Sequence, residues 1–185
     1  KQAIESFKVV GRLSSSDMDK MMASAMLGNA YKSNNQLQEA IEQYRIALEA
    51  AKTLKNQGLE RVSHELIASA LFLATKYDEA ISEYQIALKL AQNDAERGDI
   101  HERTAEAYEK LGKPDSAIEY QVRASLAHTK YSDIDKQVNS QLELARMYID
   151  AKLYDQASTA IEKVLAVTKD ASPYWEAKSY IYMAK

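Results

Sequence analysis

The sequence predicts an all-α solenoid, a stack of antiparallel helix pairs, and three observations predict it. First, one pattern comes round four times: a large residue, an alanine nine positions later, then a bulky and a small residue. The copies are Tyr31, Ala40, Tyr44, Ala47; Leu71, Ala80, Tyr84, Ala87; Tyr108, Ala117, Gln121, Ala124; and Tyr148, Ala157, Ile161, Val164. Second, the alanines Ala40, Ala80, Ala117 and Ala157 are 40, 37 and 40 residues apart, a period that marks one supersecondary unit stacked on itself. Third, the 185 residues hold five glycines and two prolines, few for a chain of many strands and tight turns.

The elements follow in order along a single solenoid over 1–185. Residues 1–15 are expected to be the second helix of a truncated repeat, with Ala3, Phe7 and Val10 at its recurring positions. The repeat 17–56 opens on a capping box, Ser16 with Asp19. Met21, Leu27, Gly28 and Tyr31 make one helical stripe, and Ile41, Tyr44, Ala47 and Leu48 the next. Between them Ser33-Asn34-Asn35 is a polar break, where asparagine can take the left-handed conformation that ends a helix. The repeat 58–93 has Thr75 at that point, so its turn should be less ideal. In the repeat 95–130, Gly112 takes the place, and Pro114 suits the first turn of the next helix. The repeat 133–170 starts on a second capping box, Ser132 with Asp135, and turns at Lys152. Residues 172–185 form the first helix of a further repeat, signalled by Ser172-Pro173 and continued by Tyr180, Met183 and Ala184. The chain opens at Lys1 without methionine and closes in mid-pattern, so it reads as a piece of a longer protein.

The small residues have a packing role. Gly28, Ala68, Ala105 and Ala145 recur on first helices and Ala40, Ala80, Ala117 and Ala157 on second helices, where close approach leaves no room for a large side chain. Tyr31, Leu71, Tyr108 and Tyr148 fill the wider gaps, and alternating small with large gives dense packing. Tyr31, Tyr44, Tyr77, Tyr84, Tyr108, Tyr148, Tyr154 and Tyr180 therefore read as core, not as a stacking platform for nucleic acid.

Composition and motifs exclude several functions. A net charge of −3 argues against a general nucleic-acid binder, which would show a basic face. The longest apolar stretch, Leu66 to Ala74, is too short to cross a membrane. With no cysteine there is no disulfide or thiolate chemistry. His64-Glu65 and His101-Glu102 begin like a zinc protease motif, but the second histidine a turn later is replaced by Ala68 and Ala105. Asp133-Ile134-Asp135 lacks the further carboxylates and glycine of a calcium loop. No phosphate loop, dinucleotide fingerprint or nucleophile elbow is present, so no enzyme activity, metal or cofactor is expected.

Leu27-Gly28-Asn29-Ala30-Tyr31 and Glu39-Ala40-Ile41-Glu42-Gln43-Tyr44-Arg45-Ile46-Ala47-Leu48 resemble the tetratricopeptide repeat almost residue for residue. The likeness covers essentially the whole chain, though spacings of 37–40 exceed the family's common length, with the extra residues expected in longer helices, as around Ala50 to Lys55, or in the joints between repeats. The resemblance implies a right-handed superhelix whose first helices line a concave groove. On this sequence that lining is Met22, Met26 and Asn29, then Val62, Leu66, Ser69 and Phe72, then Glu102, Arg103 and Glu106, and lastly Asn139 and Arg146. Its first half is apolar and rich in methionine, which suits an adaptable surface; its second half is charged.

Members that hold chaperone C-termini clamp a terminal carboxylate. Asn29 and Arg103 match that clamp, but Ala25, Leu66 and Asp99 replace its other polar residues. From Asp94 to Glu119 eight acidic residues face four basic ones, so a free carboxylate would be repelled. The expected function is a non-enzymatic interaction module, cytoplasmic, binding a peptide or partner helix that carries basic residues. The alternative is a sensory or spacer region of a larger signalling protein, such as a sensor histidine kinase, contacting its own other domains or a second copy.

Overall fold

The computed structural model describes residues 5–7, 9, 16–130, 134–168 and 174, and among these every regular element is α-helical. Phe7 is helical and half-buried. Lys1, Ala3, Val10, Ser132, Asp133, Ser172, Pro173, Tyr180, Met183 and Ala184, on which the two partial repeats and one capping box rest, lie outside the described residues.

The chain forms two compact units, residues 1–92 and 93–185. The first holds α1 (Asp17–Ser33), α2 (Leu37–Thr53), α3 (Gln57–Leu73) and α4 (Tyr77–Leu90). The second holds α5 (Asp94–Lys110), α6 (Pro114–Lys130), α7 (Ile134–Asp150) and α8 (Tyr154–Thr168). In each unit every helix packs on the one before it. The fold is an all-α helical repeat solenoid.

The turns explain the hairpins. Asn35, Lys55, Thr75, Gly112 and Lys152 all have left-handed φ, between 52° and 73°. In each case the next residue's N–H donates to the carbonyl five positions back, as in Gln36 to Tyr31 at 2.9 Å and Leu153 to Tyr148 at 2.8 Å. A shorter bond from the left-handed residue itself, such as Asn35 to Lys32 at 3.0 Å, completes the Schellman pattern. Asn35 and Gly112 suit that conformation, whereas Thr75, Lys55 and Lys152 adopt it against their preference. Lys55 has no sequence signal for it at all. At the helix starts, Ser16, Asn56 and Asn93 accept backbone N–H bonds from Asp19, Leu59 and Glu96 at 3.1, 3.1 and 2.9 Å.

The repeating alanines all lie within the core. Ala40, Ala68, Ala80, Ala105 and Ala145 are wholly enclosed, with Ala117 and Ala157 nearly so. A β-carbon built on Gly28 would lie 2.5 Å from Tyr44 Cε1, so α1 and α2 meet where only glycine fits without a shift. Tyr44 is itself fully buried; its hydroxyl donates to Asn29 Oδ1 at 2.7 Å, and burial pushes the phenol up to about 12. One tyrosine departs from the core reading. Tyr154 is 64 % exposed at the start of α8. Its counterpart Tyr77 is covered by an edge-on Phe72 ring 5.4 Å away, but Ile149 stands where Phe72 would be.

Candidate functional site

Within each unit the first helices lie side by side in register, because polar contacts between them join residues 37 apart. Lys32 Nζ reaches Ser69 Oγ at 3.5 Å between α1 and α3. Lys136 Nζ holds both oxygens of Asp99 at 2.5 and 2.7 Å, and Arg146 holds both oxygens of Glu109 at 2.9 and 3.0 Å, between α5 and α7. The expected lining residues share these faces.

In the first unit, Met22, Met26 and Val62 are exposed, Leu66, Ser69 and Phe72 are half-buried, and Asn29 is exposed while fixed by Tyr44. Phe72 keeps part of its ring open to solvent although Tyr77 packs on it. Nearby, His64 Nδ1 lies 2.6 Å from Glu83 Oε2, tying α3 to α4, and Arg61 pairs with Glu65. His64 is thus a satisfied core histidine.

In the second unit a groove of about 660 Å³ opens between α5 and α7. It brings together Glu102, Arg103, Glu106, Asn139 and Arg146, with Glu109, Glu143 and Lys110 at its side. Its floor is Leu142 and Gln121, whose amide donates to the Ser140 carbonyl at 3.0 Å. Glu102, Glu106 and Glu109 all line the groove from α5, but Glu109 is not a free carboxylate. Arg146 spans Glu109, Glu143 and Asp150, and its guanidinium is held above its ordinary pKa first by the bond to Glu143 and further by Glu109. Arg146 and Glu109 are therefore committed to each other. Among the described residues Glu106 and Arg103 make no ion pair, and Glu106 is exposed.

A second feature of this unit was not visible in the spacing. His128, on α6, is wholly buried, and neither ring nitrogen has a hydrogen-bond partner. An unsatisfied buried polar group costs about 1–3 kcal/mol. Its ring lies where Gly98 leaves space, since a β-carbon there would meet His128 Cε1 at 2.4 Å. Nε2 is 3.6 Å from a Glu102 oxygen and 3.8 Å from an Asp99 oxygen. A zinc protease motif needs two histidines a turn apart on one helix, whereas this cluster is assembled from two helices, and Gly98 is its nearest sequence signal.

Comparison with known proteins agrees with this architecture. The family model for the tetratricopeptide repeat matches residues 25–95 and 65–127, together more than half of the chain. No curated protein sequence matches it. Among solved structures, the nearly identical TPR-like repeats of a putative kinesin light chain from Podospora anserina are 21 % identical, with a TM-score of 0.73 over 90 % of this chain and 85 % of that one. Aspartyl phosphate phosphatase F from Bacillus subtilis is 16 % identical, with a TM-score of 0.81 over 97 % of this chain and 49 % of that one. The apo quorum sensor NprR from B. thuringiensis is 21 % identical, with a TM-score of 0.70 over 88 % and 47 %. At these identities the likeness is one of fold. No described helix is long and apolar enough to cross a membrane.

Proposed function

Because the chain belongs to the tetratricopeptide repeat family and is a protein–protein interaction module, we propose that the face shared by α5 and α7 is its binding surface, and that its ligand is a peptide or partner helix presenting lysine or arginine. The observation that carries this reading is Glu106, an exposed carboxylate on the groove wall without an ion pair of its own, one turn from the half-exposed Glu102. The other groove acids, Glu109 and Glu143, are compensated by Arg146. A cation entering the groove would find Glu102 and Glu106 four residues apart on one helix face, spaced for a single basic side chain between them. Asn139 is exposed on the opposite wall. The first unit has an apolar surface of its own, with Met22, Met26 and Val62 exposed and Phe72 half-buried.

The test is fluorescence anisotropy of lysine-rich and acidic peptides on the full chain. Binding of the basic peptide should weaken with salt and fall further in Glu106→Lys. Equal affinity at low and high salt, or preference for the acidic peptide, would sink this reading.

A second reading, that the chain is the sensory or regulatory part of a larger signalling protein, draws support from its likeness in fold to a quorum sensor of which it covers 47 %. Under that reading the groove is filled by another segment of the same protein or by a second copy. If a second copy fills it, sedimentation of the chain across a concentration series should show self-association. A monomer throughout, with tight binding to a peptide in trans, would favour the first reading.

A further inference from the structure

We propose that Asp99, Glu102 and His128 form a binding site for a divalent transition-metal ion of the zinc(II) type. Three observations converge on it. The three side chains place donor atoms within 4.8 Å of one another. The imidazole of His128 is wholly buried, lacks any hydrogen-bond partner at either nitrogen, and directs Nε2 at the two carboxylates. Its separations from them, 3.6 and 3.8 Å, are too long for hydrogen bonds. They are close to the edge of about 3.4 Å that two ligands share when each lies about 2.0–2.1 Å from one tetrahedral ion.

One nitrogen and two carboxylate oxygens suit borderline ions such as zinc(II) and cobalt(II). The side chains of Asp99 and Glu102 are 40 % and 38 % exposed, so an ion can reach the imidazole between them, and water completes its shell. Lys136 already places its ammonium against both Asp99 oxygens at 2.5 and 2.7 Å. A carboxylate has about four lone-pair sites, so the ammonium and the ion compete for Asp99 without wholly excluding one another. Metal binding therefore weakens the bond between Lys136 and Asp99 that joins α7 to α5. The site adjoins the groove through Glu102, but it stands on His128, which the groove reading does not use; Glu106 carries the groove test, so the two ideas fail separately.

The experiment titrates the full chain with zinc(II) by calorimetry and with cobalt(II) by visible absorption. One equivalent of zinc(II) should bind, and cobalt(II) should give the intense ligand-field bands of a site with fewer than six ligands. His128→Gln should weaken binding by at least about tenfold. Glu102→Gln, on an accessible carboxylate, should do the same should the histidine variant not fold. Lys136→Met should tighten binding, while His64→Gln and His101→Gln should leave it unchanged. Absence of stoichiometric binding, an affinity that survives both His128→Gln and Glu102→Gln, or no tightening in Lys136→Met would overturn the proposal.

Discussion

Substituting Gly28 by alanine adds one methyl group where α1 faces the ring of Tyr44 on α2, and the structure sets both the sign and the size of its effect. The new carbon would sit 2.5, 2.6 and 3.1 Å from Cε1, Cδ1 and Cζ of Tyr44. Carbon atoms prefer about 3.5–4.0 Å, so the overlap is about 1 Å. Tyr44 cannot swing aside, because it is fully buried and its hydroxyl is bonded to Asn29 at 2.7 Å. The helices must separate, at an overpacking cost of about 1–3 kcal/mol. Against this, alanine gains about 0.5–1 kcal/mol over glycine inside a helix. The net expectation is a loss of about 1 kcal/mol.

Gly58 is the internal control. The one neighbour a β-carbon there would touch is Asn56 Oδ1 at 3.4 Å, so Gly58→Ala in α3 should stabilise. Urea unfolding followed by far-ultraviolet circular dichroism reads both, compared at midpoint because stacked repeats need not unfold as one unit. In a Tyr44→Val background, where the ring is gone, Gly28→Ala should change sign and become mildly stabilising. If Gly28→Ala stabilises the wild-type chain as much as Gly58→Ala does, the close approach of α1 and α2 is wrong.

Three further predictions concern the core, the turns and acid stability. Ala80→Leu and Ala117→Leu, at enclosed positions, should each cost about 1–3 kcal/mol, whereas exposed Lys76→Ala and Gln85→Ala should change stability by less than about 0.5 kcal/mol; thermal midpoints check all four. Thr75→Gly, which relieves a β-branched residue at φ 60°, should raise stability by about 1 kcal/mol, and a lowered midpoint would contradict the strain. His101 is held down to about 4, first by burial and then by Arg123 and Arg97. Its folded pKa lies below the unfolded value, so the unfolded chain binds the extra proton first; stability present above about pH 6.5 is lost as pH falls towards 4. His101→Gln should flatten that loss, read from urea midpoints across the pH range.

What the sequence made legible was whatever repeats. Ala40, Ala80, Ala117 and Ala157 could be read as contact points because only a small residue tolerates such approach, and each is buried. Asn35 and Gly112 announced their turns because they favour left-handed backbone; Lys55 did not, since its conformation is imposed by the helices it joins. Tyr154 misled because its place in the pattern is right while its covering partner is absent. The groove residues Glu102, Glu106 and Asn139 were identified by register, but the commitment of Arg146 to Glu109 depends on a contact between helices 37 residues apart. His128 escaped for the same reason: its neighbours Asp99 and Glu102 are on another helix.

The central claim, that the chain recognises a partner through the first-helix face of α5 and α7, is tested most directly by amide chemical-shift mapping with a lysine-rich peptide. Shifts should centre on Glu102, Arg103, Glu106 and Asn139 and disappear at high salt and in Glu106→Lys. Shifts confined to the outward residues of α6 and α8, such as the exposed Leu126 and Lys163, would contradict it.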